Sequence, residues 1–166
     1  MEESARPATQ GDIDAISALA TAAIDELTPT RGGAIWARRE ARTHPIEDSL
    51  STAIDHPDHE VFVGELDSVP VGYAVVRRES LPDGGSLAVL DDLYVDPGAR
   101  RIGVGETLMN AVLDWARARD CIGIDSLALP GNRDTKNFFE SFGLVARAIV
   151  VHRPLSGNPE PGSPRS

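Results

Sequence analysis

Two short stretches hold residues whose types and spacing could do chemistry. "DPGARRIGVG", Asp96 to Gly105, sets Arg100 and Arg101 just before the alternating glycines Gly103 and Gly105. A strand-like run, "SLAVLDDLYV", precedes it, and a helix-like run, "ETLMNAVLDWARARD", follows. The first turn of a helix carries unpaired N–H groups and a partial positive charge. Glycine there removes the side chain that would hold an anion away from those donors, and the arginines add mobile positive charge. The second stretch is Asp91-Asp92, two carboxylates in the middle of an otherwise apolar strand. A carboxylate is the usual group for taking a proton from a substrate that must lose one.

The elements that must position these residues can be read along the chain. "SARPAT" is a short first strand, and Thr9 or Asp12 can cap the helix after it. Ile13, Ile16, Leu19, Ala20, Ala23, Ile24 and Leu27 recur at helical spacing. Pro29, Gly32 and Gly33 end that helix, and a weaker helical region covers about Ile35 to Ile54, interrupted at Pro45. "HEVFVGEL" and "VGYAVVRRE" read as a hairpin across "DSVP". "SLAVLDDLYV" has the apolar content of a central strand. In the next helix Leu108, Val112, Trp115 and Ala116 form the inner stripe. "CIGIDSLAL" is a strand, "NRDTKNFFESF" a helix with Gly143 as C-cap, and "LVARAIVVHRPL" a last strand. Residues 156–166 lack an apolar face and read as a disordered tail, leaving one domain over 1–155. There is no internal repeat.

Two familiar phosphate loops do not fit the junction. The nucleoside-triphosphate loop ends in Gly-Lys-Ser/Thr, and "GVGET" does not. The dinucleotide fingerprint needs a third glycine where Leu108 stands, and sits on the first strand of its domain. A glycine-rich turn that merely joins strand to helix is the competing reading. The flanking arginines and the upstream aspartates weigh against it.

The segment "LDDLYVDPGARRIGVGETLMNAVLDWA" resembles the acetyl-CoA-binding segment of the GNAT superfamily of N-acetyltransferases, whose Gln/Arg-x-x-Gly-x-Gly/Ala pattern is matched by Arg100, Gly103 and Gly105. Downstream, "NRDTKNFFESFGL" resembles a second family motif through Asn132, Thr135, Phe138, Phe139, Glu140, Gly143 and Leu144. The resemblance covers about Ser4 to Leu155. It implies a mixed α/β fold, the GNAT acyl-CoA N-acyltransferase fold. This has a central, mostly antiparallel sheet flanked by helices, in the order β-α-α-β-β-β-α-β-α-β. It also implies acetyl-CoA as co-substrate, with its pyrophosphate on Arg100, Arg101, Ile102, Gly103, Val104, Gly105 and Glu106.

Acetyl transfer to an amine needs a free amine, yet an alkyl amine with a pKa near 10 is protonated at neutral pH. Consecutive strand residues point to opposite faces, so at most one of Asp91 and Asp92 is expected to face the substrate. By resemblance to polyamine and aminoglycoside acetyltransferases, Asp91 is the first candidate for base and Asp92 the second. Carried over from the family, the N–H of Leu93 faces the thioester oxygen, Val95 pairs with pantetheine beside Tyr94, and Asn132 contacts the cofactor. Many members have tyrosine at the position of Phe139, whose hydroxyl protonates the leaving thiolate. Phenylalanine has no such proton, which leaves water, Ser141 or unassisted departure. It also motivates a second reading, a non-catalytic acyl-CoA-binding or regulatory module. Arg31 and Trp36, the first and last residues of "RGGAIW", are candidates for the substrate mouth.

Bulk composition bounds the remaining classes. The 166 residues carry a formal net charge of −10, against nucleic acid as a partner and mildly in favour of a cationic one. No apolar run suits a membrane span, and the acidic N-terminus has no signal-peptide core. A single cysteine, Cys121, makes a reducing cytoplasm the expected location. His44, His56, His59 and His152 show no metal-ligand spacing with it, so no metal is expected. The expected partner is a small-molecule or peptide amine. Dimerisation is common in the family, so a homodimer is an open expectation.

Overall fold

The computed structural model describes residues 1–156; the tail expected at 156–166 therefore lies almost wholly outside the described residues. The elements are β1 (Glu3–Pro7), α1 (Ile13–Leu27), α2 (Gly33–Arg39), α3 (Ile46–Asp55), β2 (His59–Leu66), β3 (Val69–Ser80), β4 (Ser86–Val95), α4 (Val104–Ala118), β5 (Ile124–Ser126) and α5 (Arg133–Ser141). The mixed α/β class is as expected. The second helical region is two helices, α2 and α3, parted by the cis His44-Pro45 bond.

The chain forms two compact units. The first, Met1–Ala23 with Arg42–Leu127, contains a sheet in the order β1-β2-β3-β4-β5. Each neighbouring pair through β4 is antiparallel, and β5 joins β4 in parallel. Apolar residues in β2 and β3 supply its centre: Val61, Val63, Val75 and Val76 are wholly buried. Helix α4 covers one face. Its expected inner stripe is in place, with Leu108 and Val112 wholly buried and Trp115 and Ala116 nearly so. Two paired glycines let it approach. A Cβ on Gly64 would stand 2.7 Å from Val104 Cγ1, and one on Gly72 would stand 3.3 Å from Leu108 Cδ1. Any side chain at Gly64 would push the start of α4 off the sheet.

At the entry to α1, Asp12 accepts the N–H of Thr9 at 2.8 Å and is gripped by Arg6 through two bonds of 2.8 and 2.9 Å. The Arg6 bonds hold the Asp12 carboxyl down at about 2. They tie the end of β1 to the turn that starts α1.

The second unit comprises Ile24–Ala41 and the chain from Ala128 onward. It holds α2, α5 and the loops before them. Gly143, at φ +83°, ends α5 as expected, with Leu144 N–H donating to Phe139 O at 3.0 Å. The expected last strand, residues 144–155, is not formed. Val145, Ile149, Val150, Val151 and Leu155 are 77–94 % exposed. Apolar alternation specifies a segment fit for pairing but not the edge it pairs with, and the sheet ends at β5.

Candidate active site

The site is built around an irregularity in β4. Val75 pairs with Asp92 while Val76 pairs with Leu90, so Asp91 is an extra residue with no partner on β3. Such a bulge suspends the alternation of side chains. Tyr73, Val75 and Arg77 lie on one face of β3, whose pairing with β2 is regular there. Asp91 accepts a bond from Arg77 Nε at 3.0 Å, and Asp92 accepts one from Tyr73 Oη at 2.8 Å. Both carboxylates therefore serve the same face. The expectation that only one could do so fails because it assumed an uninterrupted strand.

The two carboxylates are not equivalent. Asp92 is held by Arg42 through bonds of 2.6 and 3.1 Å, besides the Tyr73 hydroxyl. Its side chain is only 10 % exposed and that of Arg42 13 %. Burial works against the Arg42 charge, but Asp92 more than restores it. Burial, reinforced by Asp92, pushes the Tyr73 phenol well above its usual range, so it stays a neutral donor. Arg42 also bonds the Ser49 hydroxyl at 3.0 Å and lines an open pocket with His44, Asp48 and His59. Among the described residues Asp91 is ion-paired with Arg77 alone, and its side chain is 30 % exposed. Burial raises its carboxyl above the ordinary aspartate range, and Arg77 opposes that rise. Of the two carboxylates it is the more exposed and the one whose carboxyl is raised.

Beyond the bulge β4 parts from β5. The two pair only through Ala88–Leu90 and Ile124–Ser126. On the other side, the N–H of Asp96 donates to Val71 O at 2.7 Å, continuing the register Gly72↔Val95, Tyr73↔Tyr94, Ala74↔Leu93. In an antiparallel ladder, hydrogen-bonded pairs alternate with pairs whose backbone groups point outward. Asp92, Tyr94 and Asp96 thus bond β3, and Leu93 and Val95 turn their N–H and C=O toward the edge that β5 has left. This is the open backbone that the sequence resemblance assigns to the thioester and pantetheine.

The open edge runs into the arginine-glycine turn. Gly103 caps α4 at φ +102°, and Arg101 sits at φ +67°. The first backbone bond of α4 is Thr107 N–H to Gly103 O at 3.0 Å. The N–H groups of Val104, Gly105 and Glu106 take no backbone acceptor among the described residues. Arg101 is exposed. Arg100 is used locally: its Nε donates to Val95 O at 2.9 Å and its guanidinium lies 5.3 Å from the Tyr94 ring centroid. One of the carbonyls expected to serve pantetheine is thereby occupied by an arginine expected to serve phosphate.

The other sequence candidates belong to the second unit. Asn132 caps α5, its side-chain oxygen accepting the N–H of Thr135 at 3.2 Å. Arg31 lies against Gly131, whose Cβ would meet Arg31 N at 3.5 Å. This unit thus brings Arg31 next to the turn that leads to Asn132. Trp36 is half-buried in α2. Phe139 is buried and packs edge-on to Phe138 at 5.9 Å. The Ser141 hydroxyl donates to Phe138 O at 2.5 Å, which engages the proton it was expected to offer. Sequence reasoning missed Arg42, Tyr73 and Arg77. "RR" at 77–78 read as solvated surface, and no motif marks Arg42. The signal available was the cost of burying two adjacent carboxylates, which demands cationic partners somewhere.

Residues 20–144 match the family described as "Acetyltransferase (GNAT) family". The chain is 27 % identical over 128 residues to an aminoglycoside N(6')-acetyltransferase type 1 of Klebsiella aerogenes, covering 73 % of this chain and 84 % of that one. Among solved structures, the tetramutant of BH1408 protein from Bacillus halodurans superposes with a TM-score of 0.78 at 22 % identity, covering 91 % and 99 % of the two chains. AAC(6')-Iy in complex with the bisubstrate analog CoA-S-monomethyl-acetylneamine superposes with a TM-score of 0.70 at 18 % identity, covering 95 % and 100 %. At these identities the structures speak for the fold.

Proposed function

The chain belongs to the GNAT acetyltransferase family, and on that premise we propose that it transfers acetyl from acetyl-CoA to a primary amine by direct attack, with Asp91 as the base. The acceptor class best supported is a small molecule carrying amino groups, by likeness to the aminoglycoside acetyltransferase. The observation that carries the reading is the bulge at Asp91, which sets a basic carboxylate beside the backbone edge of Leu93 and Val95.

The residues present fit acetyl-CoA. The outward N–H and C=O of Leu93 and the N–H of Val95 suit an extended amide chain, while the Val95 carbonyl is taken by Arg100. The open N–H groups of Val104, Gly105 and Glu106, with Arg101 beside them, suit a pyrophosphate. Bound acetyl-CoA supplies the activated acetyl group. Asp91 accepts the proton that the amine must lose before its nitrogen can bond to the acetyl carbon. The N–H of Leu93 meets the charge that gathers on the carbonyl oxygen, a contribution of about 2.7–4 kcal/mol for such a donor. The carbon–sulfur bond then breaks and the thiolate departs. Asp92 keeps Arg42 and Tyr73 in place and does not take the proton.

Coenzyme A release measured across a panel of amines tests this. Release with polyamines or aminoglycosides supports it. Tight acetyl-CoA binding without release from any amine would favour the non-catalytic module that Phe139 motivates.

A further inference from the structure

We propose that Tyr73 and Arg42 are positioning residues for the acetyl transfer: by gripping Asp92 they hold the β4 bulge open and aim Asp91. The inference rests on the reading of Asp91 as base. Every group in it belongs to the first compact unit, and every contact is a side-chain bond within that unit.

The bulge brings Asp91 and Asp92 to one face of the sheet but leaves Asp91 without a partner on β3. Its direction must therefore be fixed by side chains. Two adjacent carboxylates on one face also repel, and the Asp92 charge adds to the rise of the Asp91 carboxyl. The side chains opposite meet both problems by drawing the pair apart along β3. Val75 stands opposite Asp92. Tyr73, two residues to one side of Val75, donates to Asp92 at 2.8 Å. Arg77, two residues to the other side, donates to Asp91 at 3.0 Å. Such diagonal neighbours lie within reach of long side chains across a ladder. Tyr73 and Arg77 are about 13 Å apart along the strand, at four residues' spacing. Asp92 is thus drawn toward one end of β3 and Asp91 toward the other, so the aim of Asp91 depends on Asp92 staying in place.

A second grip on Asp92 comes from outside the sheet. Arg42 donates to it from Nη2 at 2.6 Å and from Nε at 3.1 Å. From Nη1 it donates to the Ser49 hydroxyl of α3 at 3.0 Å. A two-pronged guanidinium fixes the plane of a carboxylate as well as its position. Arg42 thereby ties Asp92 to α3. Tyr73 and Arg42 both act through Asp92 rather than on the reacting atoms. Tyr73 is 2 % exposed with its proton on Asp92, and burial together with Asp92 keeps the phenol protonated. Arg42 is engaged on Asp92 along one edge and on Ser49 at the other.

The test is steady-state kinetics per folded molecule, with an amine that wild type accepts, on Tyr73→Phe, Asp91→Asn and the double variant. Tyr73→Phe keeps the ring and loses one bond. A misplacement of about 1 Å can cost about 10²-fold, so losing one of three grips should lower kcat by about 5–20-fold. The KM for the amine and the affinity for acetyl-CoA should not change. In the Asp91→Asn background the same substitution should cost nothing, since no base is left to aim. A Tyr73 that is merely structural, or that reacts directly, would lower kcat in that background too, and this would overturn the proposal. So would wild-type kcat in Tyr73→Phe beside an impaired Asp91→Asn, a result that leaves the base assignment standing. Full activity of Asp91→Asn would remove the base assignment itself, and the proposal with it. If Tyr73→Phe does not fold, Arg42→Lys takes its place: it keeps the charge and loses the two-pronged grip. It should show the same loss of kcat, and none beside Asp91→Asn.

Discussion

Asp91 and Asp92 are neighbours with opposite assignments, and their partners decide which is which. Asp92 carries three bonds to Arg42 and Tyr73 in a buried setting. Removing it leaves Arg42 unpaired, so Asp92→Ala is expected to cost about 3–5 kcal/mol in denaturant unfolding. Asp91 has its carboxyl raised by burial and held back by Arg77. It works as a base only when ionised, so kcat/KM should fall on the acid side through a pKa above the ordinary aspartate value. Arg77 favours the ionised form. Arg77→Met should therefore move that acid limb to higher pH, and a limb that stays put would remove Asp91 from the role. Away from the site, Asp12 is held at about 2, below its ordinary 3.8. A depressed carboxyl stabilises fully above its unfolded value and loses that contribution as pH falls from about 4 toward 2. Since Arg6 is 41 % exposed, Asp12→Asn should cost no more than about 1 kcal/mol at neutral pH, and nothing near pH 2. The carboxylate pair was legible in the sequence because carboxylates in an apolar strand stand out. Arg42, fifty residues away, was not, because only the fold brings it to Asp92.

Element scale brings together the bulged strand, its divergence from β5 and the start of α4. The arginine-glycine turn was readable from its residues, since glycine before a helix has few uses. The bulge was not, because it depends on how β3 and β4 register rather than on either strand alone. The sequence also overstated the last strand: apolar alternation at 144–155 is real, but pairing needs an edge that no sequence pattern names. Two substitutions test the turn. Gly103→Glu puts a carboxylate at the mouth of α4 and forces a side chain into φ +102°, where its Cβ would stand 3.1 Å from Glu3 Oε1. Acetyl-CoA binding should be lost by calorimetric titration in a variant still folded by circular dichroism. Arg101→Ala is gentler and should weaken acetyl-CoA about 10–100-fold, the loss of one charge-assisted bond. Unchanged affinity in both would take the pyrophosphate away from this turn.

For the whole molecule, charge and family membership act together. A chain of net charge −10 attracts a polycationic acceptor at long range. Salt at about 0.15 M shortens the screening length to about 8 Å, so kcat/KM for a polyamine should fall as salt rises. A weakly charged monoamine should change little by comparison. The fold class was legible because two motifs stood in register around an intervening helix and strand. The acceptor was not, because Arg31, Trp36 and the pocket beside Arg42 carry no pattern unique to one amine. The central claim is that Asp91 takes the proton in an acetyl transfer from acetyl-CoA. It is tested most directly by comparing wild type with Asp91→Asn for coenzyme A release and for acetyl-CoA affinity, using an amine that wild type accepts. The account predicts turnover lower by about 10²–10⁴-fold, with affinity unchanged. Full activity in Asp91→Asn would contradict it.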